Sequence, residues 1–155
     1  DGLTDLNTRI KQAVLSDSVE RAAEKGRWRD PEAMEQGDWG RLGDRTMDWV
    51  RKFRDLPMHV FMTALATEIR GEMKLGPLIQ PRSAAALVRA NCSLVGYLDA
   101  VEVDGLTTRK LVLQDTALYA AKNPGNVLPT MVENPDMMEI VPRVVRALTN
   151  GKEVA

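Results

Sequence analysis

The sequence predicts an α/β fold, and three observations carry that prediction. Two stretches in the N-terminal third and one near the C-terminus space their apolar residues at helical intervals. Met58 to Leu65 (MHVFMTAL) is a short apolar run preceded by Pro57, the pattern of a strand buried in the middle of a parallel sheet. Asp104-Gly105 stands between two β-rich runs, 94–103 and 106–113, which is a hairpin signal.

From Thr4 to about Lys25 the apolar positions Leu6, Ile10, Val14, Val19 and Ala22 predict a helix with a break near Ser16-Asp17. Thr4 or Asp5 is its candidate cap, and Gly26 ends it. Residues 26–37 read as a loop. Asp38 offers the N-cap of a second helix with Trp39, Leu42, Met47, Trp49, Val50 and Phe53 as its inward residues. That helix stops before Pro57, and Arg51, Lys52 and Arg54 complement the negative end of its dipole. Residues 66–81 hold two Gly and two Pro and predict a mobile loop with possible strand edges. A short helix follows over 82–90, then the hairpin, then a polar loop over 119–129. Met137, Ile140, Val141, Val144, Val145 and Leu148 predict a final helix over 135–148. Helices laid between strands favour an α/β sandwich. Three strands make a thin sheet for an independent α/β domain, which is physical support for sequence upstream.

Composition narrows the function classes. The chain of 155 residues is long enough for one domain with a real core. Its 21 basic and 22 acidic side chains leave a formal net charge of -1, so there is no global pull toward nucleic acid. One cysteine, Cys92, excludes an internal disulfide framework, and one histidine, His59, excludes most His-based metal or triad chemistry. This suits a reducing cytoplasm. No apolar run approaches the roughly 20 residues that a membrane span needs, so no membrane partner is expected. Asp1-Gly2-Leu3-Thr4 is no signal peptide, and the chain opens without Met. It therefore reads as a fragment, a processed product, or part of something longer.

Several motifs recur in a fixed order. Asp1-Gly2-Leu3-Thr4-Asp5-Leu6 opens the chain. Asp38-Trp39-Gly40 begins the second helix, and Leu56-Pro57-Met58-His59-Val60 leads to Thr63-Ala64-Leu65. Gly76-Pro77-Leu78-Ile79-Gln80-Pro81-Arg82, Leu94-Val95-Gly96-Tyr97-Leu98, Arg109 with Leu111, and Lys122-Asn123 with Gly125, Leu128 and Pro129 complete the series. In this order they resemble the phage-encoded RecA-like P-loop ATPases of AAA type, from the Walker B strand onward, over nearly the whole chain. Three departures stand out. The family's Gly-Lys after the proline loop is Pro81-Arg82 here, an expected Arg is Pro124, and the phosphate-binding loop is absent. The resemblance implies one domain over 1–155, a partial RecA-like sandwich with a C-terminal β-hairpin and helix.

The resemblance also implies roles. Asp1 would be the Walker B carboxylate that holds the Mg²⁺ bridging the β- and γ-phosphates of ATP; the alternative is a solvated chain end. Thr63, at the carboxyl end of its strand, would sense the γ-phosphate or orient water, or is present for β-propensity. Glu68 would be a general base for that water, or a solvated loop charge. Arg109 and Lys122 would reach a neighbouring subunit's nucleotide, or are surface cations. Arg70, Lys74 and Arg82 would track DNA phosphates from the 69–82 loop; no aromatic residue lies there to stack on bases. Trp28 between Arg27 and Arg29 is a second basic-aromatic cluster, or packs its loop onto the core. Trp39, Trp49 and Phe53 read as core, His59 as a packed or edge residue, and Cys92 as a small buried hydrophobe.

The implied function is ATP binding and hydrolysis coupled to recombination or annealing of single-stranded DNA, by a homo-oligomeric ring or filament in the host cytoplasm. Without a Gly-x4-Gly-Lys-[Ser/Thr] loop this chain alone is expected to hydrolyse ATP feebly or not at all. The alternative is a non-catalytic structural or interaction module, such as a phage assembly or virion component, derived from the same fold. A P-loop roughly 60 to 100 residues before Asp1 would favour the enzyme.

Overall fold

In the computed structural model, which describes residues 2–69, 71–103 and 105–150, the elements run α1 (Leu3–Glu24), α2 (Gln36–Arg54), β1 (Ala66–Ile69), β2 (Lys74–Pro77), α3 (Arg82–Asn91), β3 (Tyr97–Val103), β4 (Leu106–Val112), β5 (Met131–Glu133) and α4 (Met137–Asn150). The chain is mixed α/β, with four α-helices and two small sheets among the described residues. It divides into two compact units. One comprises 1–66 with 77–91, and the other 67–76 with 92–155.

The first unit is helical. Leu3, Asn7, Ile10, Val14 and Ser18 form the buried stripe of α1, three or four residues apart as one helix face requires. Ile10 and Val14 pack with Leu42 of α2, and Leu6, Met34 and Trp39 border them. The predicted break at Ser16-Asp17 does not occur: α1 is continuous. Ser18 lies within the helix, its hydroxyl donating back to the Val14 carbonyl at 2.6 Å and to the Asp38 carboxylate at 2.8 Å. Neither Thr4 nor Asp5 caps α1. Gly2 holds the N-cap position, and Thr4 already lies inside the helix with its hydroxyl engaged elsewhere. In α2 the N-cap is Glu35. Asp38 is the N3 partner of a capping box, in which the Glu35 side chain accepts from the N3 backbone and Asp38 from the Glu35 N–H. Leu42, Met47 and Val50 are buried as expected, but Trp49 is 43% exposed and lies on the surface against Phe53 and Lys52. Trp28 is 87% exposed and packs no loop onto the core.

The run from Met58 to Leu65 is not a strand. A strand needs a ladder, and no strand among the described residues lies beside this segment. Met58, Phe61 and Leu65 are each more than 60% exposed, so the apolar run is not buried either. His59 is likewise exposed.

The second unit is built on a sheet of order β3-β4-β5. The hairpin forms as predicted: β3 and β4 pair antiparallel from Tyr97↔Val112 to Val103↔Leu106. Gly105, at φ 75°, supplies the left-handed conformation of the turn. β5 adds to β4 with Leu111 opposite Val132. Leu111, Leu113, Leu128, Ile140 and Val144 form the core between this sheet and α4, as the helical spacing of the C-terminal apolar residues requires. Residues 66–69 and 74–77, read in the sequence as loop with strand edges, are strands, and Leu75 bridges Tyr119 in parallel. The rings of Tyr97 and Tyr119 stack with centroids 4.3 Å apart. Among the described residues no helix is long and apolar enough to cross a membrane.

Candidate functional site

The residues assigned to chemistry fall in both units. In the first, the chain's opening motif meets Thr63. Gly2 adopts φ 87° and ψ -155°, a region that side chains strain to enter. The Leu3 N–H donates to the Thr63 carbonyl at 2.7 Å. The Thr4 hydroxyl donates to the Leu78 carbonyl at 3.1 Å and accepts the Leu65 N–H at 3.0 Å. The Leu65 carbonyl accepts the Leu78 N–H at 2.6 Å. Three stretches distant in sequence, 2–4, 63–65 and residue 78, are thus tied by backbone and one hydroxyl. Thr63 itself is exposed, and its hydroxyl lies on the side facing Gly2. Asp1, the predicted metal ligand, lies outside the described residues, as does Arg70. Arg82 is the exposed first residue of α3.

Beneath this junction lies a buried polar pair that the sequence reading missed. Asn7 donates to the Thr46 hydroxyl at 2.9 Å and to the Gln80 carbonyl at 2.7 Å, and accepts the Gln80 N–H at 2.9 Å. Thr46 in turn donates to the Leu42 carbonyl at 2.8 Å. One amide therefore clamps the strap before α3 onto both long helices. The signal was present: Asn7 stands where the apolar stripe of Leu3, Ile10 and Val14 calls for a hydrophobe.

A second hub centres on Asp38, which is fully buried. It accepts from the Ser18 hydroxyl at 2.8 Å, from the Glu35 N–H at 2.9 Å, from Arg41 at 2.5 Å, and from Arg29. Desolvation pushes the Asp38 carboxyl up, but the Glu35 N–H, the Ser18 hydroxyl and the Arg29 guanidinium outweigh it and hold it below the ordinary carboxylate value. The hub fixes the Arg29 loop to α1 and α2. Every acceptor on Asp38 is taken, so its role is structural.

In the second unit, Glu68 is exposed on β1. Lys74 on β2 is paired with Asp115 at 2.5 Å. The Lys122 ammonium donates to the Cys92 carbonyl at 2.7 Å, while the Lys122 backbone bridges Val95. Burial pushes the Cys92 thiol above its ordinary value, with Lys122 opposing, so it is a poor nucleophile. Cys92 is half-buried rather than buried. Arg109 is exposed on β4 opposite Ala100, and its backbone exchanges hydrogen bonds with Asn134. Arg109 and Lys122 thus belong to separate pairings within the unit.

A shallow hollow of about 390 Å³ lies between α2 and α3, walled by Trp39, Met47, Asp48, Pro81 and Leu87. None of the predicted site residues lines it. No group of three or more His, Cys, Asp or Glu among the described residues is arranged to hold a metal ion. No family model matches this chain, and neither curated proteins nor solved structures give a match.

Proposed function

We propose that this chain is the portion of a phage-encoded RecA-like ATPase that runs from the Walker B residue onward, coupling ATP hydrolysis to recombination or annealing of single-stranded DNA. The observation that carries the reading is the junction of Gly2–Thr4 with Thr63–Leu65. A metal-holding carboxylate at position 1 and a water-orienting hydroxyl at position 63 need such closeness, because both must serve one γ-phosphate. In this reading Asp1 holds Mg²⁺, Thr63 contacts the γ-phosphate or its attacking water, and Glu68 takes the proton. Arg109 and Lys122 act on a neighbouring subunit's nucleotide, and Arg70, Lys74 and Arg82 contact DNA phosphates. The fold behind it is a partial RecA-like sandwich, in an oligomer working in the host cytoplasm.

The residues of this chain do not by themselves fit ATP. They offer a metal carboxylate and a hydroxyl, but no Gly-rich loop of amides and no lysine-serine pair for the phosphates. The experiment is therefore made on the natural polypeptide: intact mass and N-terminal sequencing, followed by phosphate release with and without single-stranded DNA. A mass well above that of this chain, a P-loop upstream and DNA-stimulated hydrolysis would bear the reading out. A mass equal to this chain with no hydrolysis would overturn it.

One observation favours a second reading, a structural or interaction module without catalysis. Lys74 is paired with Asp115 and Lys122 is turned onto the Cys92 carbonyl, so two cations assigned to phosphates already serve the fold.

A further inference from the structure

β3 stands at the edge of its sheet, with β4 on one side and no strand on the other among the described residues. The direction of its backbone groups follows from β4. The Arg109 carbonyl accepts the Asn134 N–H at 2.7 Å, the Arg109 N–H donates to the Asn134 side chain at 3.2 Å, and the Leu113 N–H donates to the Thr130 carbonyl at 2.9 Å. Arg109 and Leu113 thus turn their backbone groups away from β3. In an antiparallel pair, two residues directly opposite each other either bond across the pair or both face away from it, and the two kinds alternate. Ala100, opposite Arg109, therefore faces away from β4, and so do Leu98 and Glu102 on either side of it. The Ala100 N–H agrees: it donates at 2.9 Å to the carboxylate of Asp99, its neighbour in the chain, and not to β4. Leu98 is 58% exposed, and Ala100 and Glu102 are exposed as well. These three residues offer N–H and carbonyl groups along an open edge.

Charge selects what can pair there. β3 runs Tyr97-Leu98-Asp99-Ala100-Val101-Glu102-Val103, with two carboxylates and no basic side chain. A second β3 laid along it would bring the same two carboxylates to one seam, and like charges across strands are destabilising. Lys or Arg beside them is stabilising. The Asp99 carboxylate already takes, on the Ala100 N–H, the place of a partner strand's carbonyl. An incoming strand supplies that carbonyl and frees the carboxylate for a cation.

We propose that β3 takes up, as an added strand, an extended segment of a partner protein with basic side chains beside Asp99 and Glu102. Main-chain hydrogen bonds to Leu98, Ala100 and Glu102 give the affinity, and the two carboxylates give the choice of partner. The site rests on the second unit alone and stands whether or not the ATPase reading holds.

The test is a titration of the natural protein with a short blocked peptide, Lys-Val-Thr-Lys-Val-Thr-Lys, whose lysines repeat at the spacing of Asp99 and Glu102, followed by amide NMR and hydrogen exchange. The expected result is saturable shifts at Leu98, Ala100 and Glu102 at peptide concentrations up to about 1 mM, with exchange of those amides slowed about tenfold. The same peptide with Glu in place of Lys should bind about threefold more weakly or not at all. Ala100→Pro removes an N–H that takes no part in the ladder with β4, as an edge position allows. It is expected to abolish the shifts and leave the β4 amides as well protected as before. If that variant does not fold, Asp99→Asn with Glu102→Gln decides, by weakening uptake of the Lys peptide about threefold or more. No saturable shift up to about 5 mM peptide overturns the proposal. So does equal uptake of the two peptides, or slow exchange at Leu98 and Glu102 before any peptide is added, because the edge is then already covered.

Discussion

The backbone of Gly2 lies against Thr63 so closely that a Cβ at position 2 would fall 2.4 Å from the Thr63 hydroxyl and 2.5 Å from its carbonyl oxygen. Glycine is required there twice over, by space and by its φ of 87°. Gly2→Ala is therefore expected to destabilise the first unit by about 1–3 kcal/mol, the usual cost of a residue held in a glycine-only conformation. Urea unfolding measures that loss. Hydrogen exchange at Leu3, whose N–H donates to the Thr63 carbonyl, should quicken with it. An unchanged midpoint would mean that the turn at Gly2 relaxes without cost.

Asn7 makes its bonds from a buried position on α1. It is 4% exposed and holds both the N–H and the carbonyl of Gln80. Asn7→Ala would strand those two groups and the Thr46 hydroxyl's partner position. The expected cost is about 2–4 kcal/mol, from roughly 1–3 kcal/mol for each buried group left unsatisfied. Asn7→Leu should fare no better, since bulk does not supply the missing bonds. If Asn7→Leu were as stable as the parent chain, the clamp on Gln80 would be dispensable.

The helices and the hairpin were legible because each is fixed by local chemistry. The stripe Leu3, Ile10, Val14 on α1 and the pair Asp104-Gly105 before β4 need no distant residue to be recognised. Met58–Leu65 was misread for the opposite reason. Its composition is that of a buried strand, but a strand exists only beside another, and the described residues provide none. Trp28 and Trp49 failed similarly: apolar identity was legible, but which side of the loop or helix would find a neighbour was not. Of the candidate site, the meeting of residues 2–4 with 63–65 was implied only by motif order. The Asn7 and Asp38 hubs depend on pairings across 39 and 20 residues of chain, which one sequence does not reveal.

If Thr63 orients water at a γ-phosphate, Thr63→Ala in the natural polypeptide should lower the rate of phosphate release by about a hundredfold, the scale of removing one positioned polar group from a transition state. Nucleotide affinity should change little. Asp1→Asn should raise the Mg²⁺ concentration needed for half-maximal rate. Phosphate release under single-turnover conditions, with a separate binding titration, distinguishes the two effects. Equal loss of affinity and rate in Thr63→Ala would assign Thr63 to the fold and not to the reaction.

Asp38 links the stability of the first unit to acid. Its carboxyl titrates below the ordinary value in the folded chain, since the Glu35 N–H, the Ser18 hydroxyl and the Arg29 guanidinium outweigh its desolvation. A depressed folded value means that the contribution is fully present above the unfolded carboxyl's pKa of about 3.9. It is lost progressively as pH falls through the lower folded value. Asp38→Asn removes the charge at every pH and leaves Arg29, only 11% exposed, without its buried partner. The expected penalty near neutrality is about 3 kcal/mol, the low end of the cost of breaking a buried ion pair. Unfolding followed from neutral pH to about pH 2.5 should show the gap between the two proteins begin to narrow below about pH 4 and go on closing as the pH falls toward the lower folded value, where protonation of Asp38 removes what the substitution removes. Parallel curves across that range would show that Ser18 and the backbone, and not the charge, hold this hub together.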